Sequence, residues 1–200
     1  GLGDVYKRQG WLAAGGVPKG EFIVQQCQAG LVKIRRDGRR LAFAAPPAAQ
    51  SDIAPQMQAR IARILGIEAA DILATRSLSA TRPGWTGVLL KDRAAVLALR
   101  PDFAALGEME LGVVAPHGAD GVDFEVRGFV NDVGGEDPVT GSLNGGLARW
   151  LIGAGIAPAR YVAAQGTALG RAGRVHVAHD GEEFWIGGES VEVISGTLSL

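Results

Sequence analysis

The first part of the chain alternates apolar and polar residues in short runs. Residues 21–28, 31–36 and 39–45 read as three strands. Asp37-Gly38 stands between the second and third, a strong hairpin signal when strand patterns flank it. Ala45-Pro46-Pro47 ends the unit, because proline has no N–H to give to a sheet ladder. The period then changes. Ile53, Met57, Ile61, Ile64 and Leu65 recur at helical spacing, Ser51 or Asp52 stands where an N-cap belongs, and Gly66 marks the stop. Residues 68–82 are polar and mixed, and read as a connection between two domains.

The pattern then restarts. A strand is predicted at 85–90, a short helix at 92–97, a turn at Pro101-Asp102, a strand at 111–115, a turn at 118–121 and a strand at 122–130. In the last of these, Val122, Phe124, Val126 and Gly128 share a face. A helix over 141–153 puts Leu143, Leu147, Leu151 and Ala154 on one stripe, with Thr140 as its N-cap. Strands at 160–164, 174–178, 183–186 and 191–198 complete the set, and residues 11–14 read as the tail of an earlier helix. Each half holds several short strands and one main helix. Strands do not alternate with long crossover helices, so a doubly wound sheet is a poor fit. The pattern predicts an α+β fold in which antiparallel sheets wrap on helices.

Composition narrows the function classes. Of 200 residues, 47% are hydrophobic and 20% charged, enough for a core and against wholesale disorder. Lys and Arg number 20 against 21 Asp and Glu, a formal net charge of −1, which gives no field for nucleic acid or an anionic membrane. The longest purely apolar run, 94–99, is six residues, where a spanning helix needs about 20. One cysteine, Cys27, leaves no intrachain disulfide and reads as a small buried thiol on a strand. The expectation is a soluble cytoplasmic protein. Glycine, at 30 residues, is abundant without forming low-complexity tracts, which predicts tight turns and close backbone approach.

Candidate chemistry concentrates in residues 134–147. Small residues lead into the 141–153 helix, whose first turn leaves about four N–H groups without partners. Those groups and the positive end of the helix dipole suit an anion, here a substrate carboxylate or an enolate-like oxygen. Glu136 and Asp137 set carboxyl groups just before that end, where one of them can orient a substrate or transfer a proton. Pro138 biases Asp137 toward extended backbone and so fixes its aim.

The string Glu136-Asp137-Pro138-Val139-Thr140-Gly141-Ser142 resembles the Glu-Asp-Pro-x-Thr-Gly-Ser/Asn-Ala signature of the PhzF-like (phenazine biosynthesis) isomerase family, departing from it at Leu143. Arg127-Gly128-Phe129 resembles that family's Arg-x-Phe strand, Gln165-Gly166 with Gly170-Arg171 its Gln-Gly…Gly-Arg stretch, Ile194-Ser195-Gly196 its closing strand, and Leu99-Arg100-Pro101-Asp102 its middle. The resemblance runs from about Trp11 to Gly196. It implies a diaminopimelate epimerase-like fold of two similar domains, each a sheet barrel around a central helix, with the site in the cleft between them. It implies an isomerase without cofactor or metal that shifts a proton on a small carboxylate-bearing metabolite, and assembly as a homodimer. Asp137 would be the catalytic residue, and Glu136, Thr140, Gly141 and Ser142 would bind substrate. The family's principal acid/base Glu and its Gly-His-Ala-Thr-like loop have no match here, so the expectation is a fragment lacking roughly the first quarter of its parent and inactive by itself. Residues 1–9 are read as a non-native or disordered tail, 10–81 as the remainder of an incomplete first domain, and 82–200 as the second, whose last strand is free to return to the first. Related epimerases use a cysteine in each domain. Thr140 stands where the second would be, which argues against a cysteine racemase. The alternative class is a non-catalytic domain on the same scaffold that binds a small carboxylate or mediates dimer formation.

Other motifs carry less. His176 and His179, three apart in a strand, point to opposite faces and do not share a metal. Gly153-Ala154-Gly155 ends a helix, unlike a dinucleotide fingerprint, and 166–171 lacks the Lys-Ser/Thr of a phosphate loop. Arg35, Arg36, Arg39 and Arg40 flank a hairpin and read as a solvated edge. No serine stands in a Gly-x-Ser-x-Gly elbow.

Overall fold

The computed structural model describes residues 15–18, 20–27, 30–38, 40–78, 84–131, 134–189 and 196. The expected tail at 1–9, the helix tail at 11–14 and all of the 191–198 strand but Gly196 lie outside the described residues, as does the Cys27 side chain. The chain builds β1 (Ile23–Cys27), β2 (Gly30–Asp37), β3 (Arg40–Ala44), α1 (Pro55–Leu65), β4 (Ala74–Ser77), β5 (Trp85–Leu89), α2 (Arg93–Ala98) and α3 (Phe103–Leu106). It continues with β6 (Glu110–Ala119), β7 (Val122–Val130), β8 (Gly135–Asp137), α4 (Gly141–Gly153), β9 (Arg160–Gln165), β10 (Gly173–His179) and β11 (Phe184–Gly188). This is the α+β class that the periodicities predict.

The described strands form one sheet with the order β1-β2-β3-β11-β10-β9-β7-β6-β5-β4, and β8 pairs on β7. Most pairs are antiparallel, but β5 with β6 and β7 with β9 are parallel, a pairing the local pattern could not reveal. The sheet curls around α4. Leu143, Leu147, Ala148, Trp150 and Leu151 of that helix share one core with Val32 and Ile34, Leu41 and Phe43, Trp85, Val126, Val175 and Ile186. Nine of the thirteen α4 residues are buried, as expected of a helix walled in on most sides. Gly146 makes this possible, since a Cβ there would stand 2.7 Å from the Leu78 Cβ.

A second core lies on the other face of β5–β7. Ile61, Ile64 and Leu65 of α1 pack there with Val96, Leu99, Leu106, Leu111, Val113, Ala115 and Phe129. Alternation decides the sorting: Leu111, Val113 and Ala115 face this core, and Val114 faces α4. No helix among the described residues is long and apolar enough to cross a membrane.

Several local expectations are corrected. Neither Ser51 nor Asp52 caps α1. Ala54 takes that place with Pro55 in the first turn, where a missing N–H costs nothing. Ser51 instead bridges to Ser77, and Asp52 pairs with Arg76. The hairpin closes with Asp37 opposite Arg40, so Asp37 belongs to the strand and Gly38, at φ 61°, opens the turn. The 68–82 stretch contains a single helical turn, Ala69–Asp71, and strand β4 at the sheet edge. All four β4 residues are half-buried, which erases the alternation that marks a strand.

Candidate active site at the start of helix α4

β8 positions the acidic pair. It lies antiparallel to β7, with Gly128 opposite Asp137 and Phe129 opposite Glu136, so both acids have extended backbone, as Pro138 predicts. The chain then turns into α4. Thr140 is its N-cap, at φ −118° and ψ 107°.

The Thr140 hydroxyl does not cap the helix. Its Oγ1 donates to Asp137 Oδ2 at 2.7 Å, while the Val139 amide donates to Asp137 Oδ1 at 3.4 Å. Among the described residues the Gly141 and Ser142 amides have no hydrogen-bond acceptor. They stand at the positive end of a thirteen-residue helix, the arrangement that favours an anion. Ser142 is exposed, and its Oγ accepts a hydrogen bond from Trp85 Nε1 at 3.0 Å. An indole N–H only donates, so the hydroxyl hydrogen of Ser142 is left to point elsewhere.

Behind this corner lies a polar cluster that no solvent reaches. Gln165, the last residue of β9, and Asn144 of α4 are both 0% exposed. Gln165 Oε1 accepts from the Thr140 amide at 3.1 Å and from Asn144 Nδ2 at 2.8 Å. Its Nε2 donates to the Asp137 carbonyl at 3.0 Å and to Thr140 Oγ1 at 2.9 Å. Asn144 Nδ2 also reaches the Thr140 carbonyl at 2.8 Å, and among the described residues its Oδ1 has no partner. Gly166 lets this cluster close, because at φ 88° its backbone approaches the Pro138 carbonyl so nearly that a Cβ would stand 2.8 Å away.

Glu136 has a different neighbour. Arg127 donates from Nε to Oε1 at 3.0 Å and from Nη2 to Oε2 at 2.7 Å, with the two side chains 6% and 7% exposed. Arg127 Nη1 also donates to the Val96 and Leu99 carbonyls at 3.1 Å each, at the end of α2. Both Glu136 oxygens are thereby engaged, and β8 is tied to the floor beneath it.

The structure thus gathers Asp137, Thr140, Gly141 and Ser142 at one corner and turns Glu136 toward Arg127. Sequence reasoning gave no site role to Gln165, Asn144, Trp85 or Arg127. The signals were a polar residue ending the apolar β9 run and one amide inside an apolar helix. Elsewhere, the His176 ring contacts Arg40 Nη1 at 3.0 Å, and burial, then the Arg40 charge, holds its pKa below the ordinary imidazole value. The His179 ring stacks on Phe184 with centroids 4.1 Å apart. Among the described residues no group of three or more His, Cys, Asp or Glu stands close enough to hold a metal ion. A cavity of about 250 Å³ beside Arg35, Arg40, His176 and Trp185, and one of about 500 Å³ beside Ile67, Leu90, Ala95 and Leu99, are lined by none of the corner residues.

A sheet curled around a buried helix is a fold that solved proteins share. The family model described as phenazine biosynthesis-like protein, PhzC-PhzF, matches residues 9–196, and the chain belongs to that family. An uncharacterized isomerase of Pseudomonas aeruginosa is 30% identical over 182 residues, covering 90% of this chain and 64% of the relative. The uncharacterized isomerase YddE of Escherichia coli O157:H7 is 28% identical over 165 residues, covering 73% of this chain and 54% of the relative. The chain therefore spans less than two thirds of the length of these curated relatives. A PhzF-family phenazine biosynthesis protein from Bacillus anthracis superposes with a TM-score of 0.75 at 18% identity, covering 94% of this chain and 71% of that one. One from Enterococcus faecalis gives 0.72 at 22% identity, over 94% and 68%. These likenesses show the fold.

Proposed function

We propose that this chain carries one face of the active site of a cofactor-independent isomerase, which shifts a proton on a small carboxylate-bearing metabolite. Asp137 is the proton-handling group. The amides of Gly141 and Ser142, with the Ser142 hydroxyl, hold the substrate carboxylate. Thr140 orients Asp137, and Glu136 steadies the strand through Arg127. The observation that carries this reading is the adjacency of a half-buried carboxylate to helix-start amides without acceptors. One group accepts a proton, and the others stabilise the oxyanion that forms when it leaves.

The names of the two curated relatives, both isomerases, support the reaction class. The opposite face of the pocket belongs, on this reading, to a partner domain in a two-domain arrangement of 10–81 and 82–200. The principal acid/base Glu and the Gly-His-Ala-Thr-like loop of the family have no match in these 200 residues, and on this reading they belong to the other face of the pocket, so the chain alone is expected to be inactive. Proton shifts of this kind exchange the migrating hydrogen with solvent. The full-length protein in D₂O, offered small unsaturated or hydroxylated carboxylates, will place deuterium on carbon, and Asp137→Asn will abolish that exchange. Binding of the same carboxylates with no exchange by the wild type would leave a binding domain, and exchange at the wild-type rate in Asp137→Asn would refute the site.

A further inference from the structure

We propose that Gln165 is a positioning residue that sets the direction of the Thr140–Asp137 hydrogen bond and so makes Oδ1 the working oxygen of Asp137. This deepens, and rests on, the reading of Asp137 as the proton-handling group.

The hydrogen bonds around Gln165 have a fixed direction because their backbone and amide donors cannot reverse. The Thr140 backbone N–H only donates, and it ends on Gln165 Oε1 at 3.1 Å. Asn144 Nδ2 ends on the same oxygen at 2.8 Å and also on the Thr140 carbonyl at 2.8 Å, which fixes it as a donor. A flipped Gln165 amide would set N–H against N–H at both contacts, so its orientation is determined by its partners. Nε2 must then face the other way. There it meets the Asp137 carbonyl at 3.0 Å, an obligate acceptor, and Thr140 Oγ1 at 2.9 Å. The hydroxyl therefore receives a hydrogen from Gln165. Its single proton is left for Asp137 Oδ2, 2.7 Å away. Oδ2 spends a lone pair on a hydroxyl that Gln165 polarises by donating to it, and this makes Oδ2 less basic than Oδ1. A proton taken from substrate goes to Oδ1, whose only partner among the described residues is the Val139 amide at the long distance of 3.4 Å. Gln165 sits at the end of β9, apart from both β8 and the start of α4, and is 0% exposed, so it acts from behind and touches no substrate.

The test is spectroscopic and needs no substrate. In full-length protein carrying ¹³C-labelled aspartate, in an H₂O/D₂O mixture, the Asp137 carboxyl carbon will show the isotope shift of a hydroxyl bonded to it. Thr140→Val will remove the shift and Thr140→Ser will restore it. Gln165→Glu will remove it only above the pH at which the new, fully buried carboxyl ionises, because an ionised oxygen in the place of Nε2 draws the hydroxyl hydrogen away, and lowering the pH below that point will bring it back. A shift that persists in Gln165→Glu after the new carboxyl is seen to ionise, by its own ¹³C titration, overturns the proposal. Should that variant fail to fold, Gln165→Leu reads the same clamp through the Thr140 amide, whose hydrogen exchange will quicken by about tenfold on losing its acceptor; an unchanged rate overturns it too. The two readings fail separately. Loss of the isotope shift together with full turnover in Asp137→Asn keeps the clamp and sinks the catalytic assignment, and the converse pair of results sinks the clamp alone.

Discussion

Arg127 and Glu136 face each other through two parallel hydrogen bonds of 3.0 and 2.7 Å, inside the protein. That pair ties the short strand carrying Asp137 to the body of the sheet. Removing one partner leaves a buried charge without its counterion, which costs about 3–5 kcal/mol. Arg127→Leu should lose stability on that scale in urea unfolding. Arg127→Leu combined with Glu136→Leu should recover most of the loss, because both charges leave together. A double variant no more stable than the single one would show that the pair matters for something other than charge.

Trp85 and Ser142 give a second expectation. Ser142→Ala leaves the indole N–H without an acceptor, in a residue only 6% exposed. The cost should be about 1 kcal/mol, read from the unfolding midpoint. The loss of substrate affinity in the full-length protein should be larger than this small change in stability would produce, if the hydroxyl holds a carboxylate. Equal losses in both would remove Ser142 from the site.

Gly166 tests the backbone. An alanine there meets the Pro138 carbonyl at 2.8 Å and must adopt φ 88°. Gly166→Ala should cost about 2–3 kcal/mol and move the Thr140 amide resonance. Gly153→Ala, where a Cβ meets nothing within 4 Å in the last turn of α4, should be neutral or mildly stabilising by comparison.

Stability at low pH should depend on Asp180. Its carboxyl is lowered to about 2, first by the Glu183 amide and then by the Trp185 indole N–H, against the opposing effect of burial. The folded value lies below the ordinary carboxyl value of 3.8, so this contribution is present above that pH and is lost as pH falls through about 2. Asp180→Asn should flatten the fall in stability between those limits. A variant whose acid unfolding curve parallels the wild type would discard the assignment.

Much of the site could be found in the chain itself. Helix α4, its Thr140 N-cap and the extended Asp137 before Pro138 follow from local rules, because a helix start and a proline act within a few residues. Strands β1–β3 and β9–β11 were legible for the same reason. Strand β4 was not, since an edge strand half-buried on both faces shows no period. The α1 cap was misplaced because Ser51 and Asp52 had better partners in Ser77 and Arg76, more than twenty residues away.

What the sequence determined alone was the chemistry available: which residues can carry a proton, where main-chain donors go unpaired, and which family's motif they spell. What only the tertiary structure decided was which of two neighbouring acids is engaged elsewhere. Glu136 meets Arg127 because β8 folds back on β7, and Asp137 is held from behind by Gln165 because β9 lies beside them. Those pairings come from strands brought together across the sheet, and the direction of a buried hydrogen bond depends on every donor around it.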